Sequence, residues 1–109
     1  MQFMLQIIGT TSPTADPSVE EFMAFDHEMV AAGVKVDGAP LGDYHEAVSV
    51  QVGADGIPTV TIGLRDGATE YLGGYIIVEA PDLEAAVDWA GRCPGAKYGR
   101  VEVSPIFRF

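Results

Sequence analysis

Positive charge is scarce in this chain. Its 109 residues include six Lys and Arg against sixteen Asp and Glu, which gives a formal net charge of −10. Such a balance repels phosphate backbones and anionic lipid headgroups, so we expect neither nucleic acid nor a membrane as a partner. Solubility in water by itself explains the acidic excess, which therefore points to no further function.

Cysteine and long hydrophobic runs are also scarce. Cys93 is the only cysteine, so no internal disulfide can form, and we expect a reducing, cytoplasmic compartment. Because Cys93 precedes Pro94 and has no histidine nearby in the sequence, we expect it to be structural rather than nucleophilic. No apolar run approaches the ~20 residues that span a bilayer, and we expect no signal peptide.

Motifs for nucleotides, acyl transfer and metals are absent as well. The sequence has no Gly-rich phosphate loop, no Ser-centred nucleophile elbow and no Cys-x-x-Cys pair. His27 and His45 are the only histidines, and they are predicted on different elements, so too few ligands remain for zinc. We therefore expect no metal and no other cofactor.

Strand and helix signals alternate along what we expect to be one domain, residues 1–109. Ser18 to Glu21 has the form of a capping box, and Gly33 suits the end of the helix that follows. Residues 34–42 are predicted to be irregular with a short extended piece. The periodicity predicts strands at 3–8, 47–52, 58–64, 74–79 and 100–107, and helices at about 19–32 and from 82 to before Pro94.

This order of elements is the split βαβ arrangement of the ferredoxin-like α+β fold. It predicts an antiparallel sheet with two helices on one face and nothing on the other. Phe107 and Phe109, together with the Val and Ile of the strands, suggest that the bare face is apolar. We therefore expect a homodimer in which the open sheet faces of two copies meet.

Several short motifs at consistent spacing resemble the YCII-related, or DGPF-type, family. The most specific are residues 72–75 (Leu-Gly-Gly-Tyr) and 92–94 (Arg-Cys-Pro). Met4, Ala31 to Val34, and the spacing from Gly38 to Leu41 follow the order of the family. The resemblance covers nearly the whole chain, and it implies a dimeric α+β barrel with a pocket between each sheet and its helices.

The resemblance implies an acid/base pair in active members, formed by a helix His and the Asp that opens the DGPF motif. It also implies dehydrochlorination of aromatic substrates as one activity. This sequence has Phe22 and Ile62 at those two positions, and neither side chain can transfer a proton. The family pair is therefore not retained, and we expect Phe22 and Ile62 to be substrate-binding residues of an apolar lining.

Asp26 is the first candidate for catalysis, because it falls in the middle of the apolar face of the first helix. An apolar pocket would favour its protonated form, so Asp26 could act as a general acid or base one turn beyond Phe22. The alternative is a structural pairing with a backbone N–H or an Arg. A helical wheel puts these residues on the face around it: Val19, Phe22, Met23, Phe25, Met29 and Val30.

Three further residues are candidates for the site. His45 stands among the carboxylates of Asp43 and Glu46 and could shuttle protons near neutral pH, or it is simply an exposed loop residue. Arg65 would orient a carboxylate or enolate oxygen if it pointed into a cavity, or it is exposed in a turn. Tyr75 would hold an aromatic or polyketide-like ligand by stacking and one hydrogen bond.

These residues leave three functions open. The first is a cofactor-free lyase, isomerase or cyclase acting on a small organic molecule, with Asp26 or His45 moving a proton. The second is a non-catalytic protein that binds such a molecule in an apolar pocket. The third is a dimeric accessory protein that uses its surface rather than its pocket.

Overall fold

The computed structural model describes residues 1–13 and 15–107, and its elements follow the predicted order. A 3₁₀ turn at Tyr44–Glu46 lies between the second and third strands. The strands are β1 Gln2–Thr10, β2 Lys35–Pro40, β3 Val48–Val52, β4 Pro58–Ile62, β5 Glu70–Glu79 and β6 Arg100–Pro105. The helices are α1 Val19–Ala31, α2 Leu83–Arg92 and α3 Pro94–Tyr98.

Four strands form an antiparallel sheet in the order β2-β5-β1-β6. This is the strand order of the ferredoxin-like fold, so the predicted fold class is confirmed. In the central pair of strands, Phe3 lies opposite Val78 and Leu5 lies opposite Ile76. All four side chains are buried, because alternate residues of β1 and β5 point towards the helices.

The core lies between the helices and this one face of the sheet. The helices contribute aromatic, sulfur-containing and small side chains to it, namely Phe25, Met29, Ala86, Ala90 and Cys93. Burial raises the pKa of the Cys93 thiol, which disfavours the reactive thiolate and agrees with a structural role.

Helix α1 begins and ends as its sequence predicts. The Ser18 hydroxyl accepts a hydrogen bond from the backbone N–H of Glu21 at 3.2 Å. Gly33 follows the helix with φ at +72°, a left-handed conformation that residues with a Cβ adopt only at a cost. Both ends are thus determined by local chemistry, independently of what the helix packs against.

Several boundaries differ from the sequence prediction, and residues 35–40, which were predicted to be mainly irregular, form β2 at the edge of the main sheet. Pro94 was expected only to end a helix, but it also occupies the first turn of α3, where its fixed φ and missing N–H are favourable. Strand β5 begins at Glu70 rather than Gly74, and β6 ends at Pro105 rather than Phe107. Phe109, which we expected on the bare sheet face, lies outside the described residues.

No described residue range forms a layer over the sheet face away from the helices, and we call this the open face. Cross-strand register places Met4 and Ile77 on this face beside Gln6 and Tyr75. The valines of β6 pair instead with residues that point to the helices, so the open face is less apolar than predicted. Its remaining polar members include Asp37, Arg100, Glu102 and Ser104.

Strands β3 and β4 form a separate two-stranded hairpin, which we call the arm (residues 48–62). Every residue of both strands is exposed. The radius of gyration of the protein is 15.8 Å, whereas a compact chain of about 100 residues has about 13 Å. The molecule is therefore extended, and the arm is not packed into its core.

Substitutions of Met29 and of its neighbour Val30 test which face of α1 is buried in the core. The Met29 side chain is 1% exposed and that of Val30 is 59% exposed. We expect Met29→Ala to lower the free energy of unfolding by about 2–5 kcal/mol, because it leaves a cavity under α1. Val30→Ala should change it by about 0.5 kcal/mol or less. Urea denaturation of both variants measures the difference, and equal losses would contradict this assignment of the buried face.

Candidate functional site

A cleft of about 1080 Å³ lies between α1, β2, the 3₁₀ turn and one end of β1 and β5. The loop that connects β1 to α1 forms a further side of it. The wall of the cleft is mainly apolar and is formed by side chains of the helix and of the sheet: Ile7, Phe22, Phe25, Met29 and Ile76. This wall suits a largely apolar organic molecule.

Asp26 lies on this cleft but is not enclosed by apolar side chains. Its carboxylate pairs with the ammonium group of Lys35 on β2, and the two side chains are 47% and 25% exposed. The helical wheel overestimated the buried face of α1, because Val19 and Met23 are 71% and 66% exposed. In this setting we expect the ion pair to contribute about 1 kcal/mol or less. It nevertheless holds a cation at the edge of the cleft.

Asp43 and His45 form a second charged pair on the 3₁₀ turn. The Asp43 carboxylate accepts the backbone N–H of His45 at 2.8 Å and lies 2.6 Å from His45 Nδ1. The backbone hydrogen bond first, and then the imidazole, hold the pKa of Asp43 below its ordinary value. With the Nδ1 proton directed at the carboxylate, Nε2 is left as the nitrogen that can accept a proton.

Aromatic rings surround this pair. The ring of Tyr44 stacks on His45 at 4.3 Å and contacts Tyr71 at 4.5 Å between centroids. Tyr71 lies over Gly9, where a Cβ atom would be 2.6 Å from the phenolic oxygen, so a side chain at position 9 would displace the ring. The stack therefore joins the 3₁₀ turn to the central strands and fixes the histidine beside the cleft.

One known protein family matches the chain that forms this cleft. The family model of the YCII-related domain matches residues 1–109. The chain belongs to the YCII-related family. A comparison with curated proteins found no match. In this YCII-related protein, Phe22 is half-buried and lies on the wall of the cleft.

After Asp26, His45 and Phe22, the three remaining predicted site residues of this YCII-related protein contribute no side chain to the cleft. Ile62 is 76% exposed on the arm, and Arg65 is exposed in the loop after it. Tyr75 borders the cleft, but it pairs with Gln6, which directs its phenol to the open face. Its backbone is therefore the part that lines the cleft.

Sequence reasoning missed Lys35 and Tyr71. Lys35 supplies the cation that we had expected from Arg65, and Tyr71 supplies the aromatic ring that we had expected from Tyr75. In the part of the chain that the structure describes, no group of three His, Cys, Asp or Glu side chains is arranged to hold a metal ion. Over the same residues, no helix combines the length and the hydrophobicity of a membrane span.

The hydrogen bonds of Asp43 predict its titration. Its pKa should lie below the value of about 3.9 for a free Asp, and ¹³C NMR of its carboxyl carbon measures it. In His45→Ala the pKa should rise only part of the way, because the backbone N–H of residue 45, the larger cause, remains. Since the pKa is lowered in the folded state, the turn gains stability above pH about 4 and loses it as the pH falls through the lowered pKa. A full return to 3.9 in His45→Ala would contradict this order of causes.

Proposed function

We propose that this YCII-related protein binds a small, largely apolar organic molecule in the cleft and catalyses cofactor-free proton transfer on it, of the lyase, isomerase or cyclase type. One observation carries the proposal. An apolar wall faces a rim that holds both a histidine oriented by a carboxylate and a lysine. The wall supports binding, and the rim offers a base to remove a proton and a cation to stabilise the resulting anion.

The size of the cleft sets the class of ligand. Pockets for organic ligands usually have about 300–1000 Å³, and this cleft reaches about 1080 Å³. The half-buried ring of Phe22 lines the cleft and can stack on an aromatic or polyketide-like molecule. A ligand with one or two rings and an acidic C–H bond fits both the wall and the rim.

His45 would remove that proton through Nε2, because Asp43 keeps the Nδ1 proton in place and stabilises the imidazolium that forms. The electrons of the broken C–H bond would pass to a neighbouring carbonyl oxygen, and Lys35 would stabilise the resulting enolate. Asp26 would act as a positioning residue that holds the Lys35 ammonium at the cleft. Proton return from the imidazolium to a different carbon would complete an isomerisation, and loss of a leaving group that takes the imidazolium proton would complete an elimination.

A second function, ligand binding without catalysis, is favoured by a specific observation. The side chain of His45 is 73% exposed, which leaves it largely in water. The positions of the family acid/base pair also hold Phe22 and Ile62.

For either function we propose that the protein acts in the cytoplasm as a homodimer through the open face. The lone buried Cys93 and the uncovered sheet support these two points.

Filling the cleft tests ligand binding. We expect Nile red, a neutral apolar dye, to gain fluorescence with the native protein, and Phe22→Trp to weaken its binding at least about 10-fold by occupying the wall. Val87→Trp adds the same ring to an exposed position of α2 outside the cleft and should leave binding unchanged. Equal affinities of both variants would place the dye elsewhere and contradict the cleft as the binding site.

Proton transfer can be tested on the native ligand. Native mass spectrometry of protein purified from its own host should reveal a discrete bound mass. In D₂O the native protein should exchange an acidic C–H of that compound. His45→Gln should slow the exchange at least about 100-fold while the bound mass is retained.

Glu46→Gln is the matched control, because Glu46 belongs to the same turn but does not line the cleft. It should exchange at the native rate. A bound compound that the native protein does not exchange would favour binding without catalysis. Unchanged exchange in His45→Gln would remove His45 from the reaction.

A further inference from the structure

An irregularity in β5 brings the side chain of Tyr71 to the face of the sheet that forms the cleft. Register pairs Tyr71 with Gly9, and Gly9, like Ile7, is one of the alternate positions of β1 that point towards the helices. Without the extra residue Gly73, the ring of Tyr71 would share the open face with Tyr75. The same strand therefore presents one phenol to each face of the sheet.

The phenolic oxygen of Tyr71 lies where the cleft meets Gly9. A Cβ atom at Gly9 would be 2.6 Å from this oxygen, and both residues line the cleft. Because glycine has no side chain, the surface that a bound molecule meets at this point is the Tyr71 phenol. The ring is partly buried and contacts Tyr44, so the hydroxyl is held at a defined place on the wall.

The hydroxyl group of Tyr71 has no hydrogen-bond partner among the described residues. It is nevertheless not sealed inside the protein, because no buried side-chain polar atom of the described residues lacks a partner. A tyrosine hydroxyl that is set in an apolar wall usually pairs with another polar group. A molecule bound in the cleft can supply that group.

We infer that Tyr71 is a specificity-determining residue, which donates a hydrogen bond to a carbonyl oxygen of the bound molecule. This inference rests on the ligand binding proposed above, and it narrows the ligand to a planar ring compound that carries a carbonyl group. The phenol donates through its O–H, and the half-buried Phe22 offers a ring on which the ligand can stack. A hydrocarbon of the same shape would leave the phenol unpaired.

The hydrogen bond would also orient the molecule relative to His45. The ring of Tyr44 joins the two residues, since it lies 4.5 Å from Tyr71 and 4.3 Å from His45 between centroids. A carbonyl oxygen held by Tyr71 would bring the neighbouring carbon atoms to the histidine end of the cleft. Those carbons carry the acidic hydrogens of the proposed proton transfer, and the hydrogen bond strengthens as negative charge develops on the oxygen.

Two apolar dyes that differ in hydrogen-bonding capacity test this contact. Nile red carries a carbonyl oxygen, whereas diphenylhexatriene is a hydrocarbon without an acceptor. Tyr71→Phe keeps the ring and its contact with Tyr44 but removes the hydroxyl. It should weaken the binding of Nile red about 3–10-fold and shift the emission of the bound dye to shorter wavelength. The affinity for diphenylhexatriene should not change, which will also show that the variant is folded.

Tyr75→Phe is the matched control, because it removes the same hydroxyl from the same strand on the open face. It should leave the affinity for both dyes and the emission of Nile red unchanged. Phe22→Trp should weaken the binding of both dyes, since it occupies the wall on which both would pack.

The pattern over the two dyes separates this inference from the proposed function. If Phe22→Trp weakens the binding of neither dye, the cleft is not the binding site, and the proposed function fails together with the inference. If Phe22→Trp weakens both and Tyr71→Phe weakens neither, the cleft remains the binding site and the inference alone is overturned. Equal losses for both dyes in Tyr71→Phe would mean that Tyr71 only shapes the cleft, which also overturns the inference.

Discussion

The pairing of β1 with β5 at the centre of the sheet is the contact on which the rest of this protein depends. It brings Phe3 opposite Val78 and Leu5 opposite Ile76, and those buried side chains are the surface on which α1 and α2 pack. One irregularity in the same ladder also builds the cleft. Ile7 pairs with Gly74 but Ile8 pairs with Leu72, so Gly73 is an extra residue in β5. The bulge exchanges the faces of the residues before it, and Tyr71 is thereby turned over Gly9 towards the 3₁₀ turn.

Much of the fold was predictable because its signals are local. The start of α1 depends on Ser18 and its end on Gly33, each within a few residues of the helix. The Asp43–His45 contact is equally local, since a side chain reaches a residue two positions away. The order of strand and helix signals along the chain was sufficient to predict the split βαβ sheet. Helix α3 was missed because a proline is equally suited to end one helix and to begin the next.

The chemistry of the cleft was less predictable because it depends on contacts distant in sequence. Lys35 reaches Asp26 only once α1 has packed beside β2, and no residue spacing in the sequence predicts that ion pair. The helical wheel assumes that an apolar stripe is covered along its full width. Here the sheet covers only Phe25 and Met29 completely, and the cleft occupies the space beside them. The bulge is likewise the reason that the position of the Tyr71 ring was not predicted, because simple alternation would direct this ring to the open face.

The distribution of charge affects how the exposed arm behaves in solution. A two-stranded arm with an apolar face and a single charged residue, Asp55, would be an aggregation site on a neutral protein. On this chain the remaining surface carries a net charge of −9, so random apolar collisions between copies bring acidic surfaces together and are disfavoured.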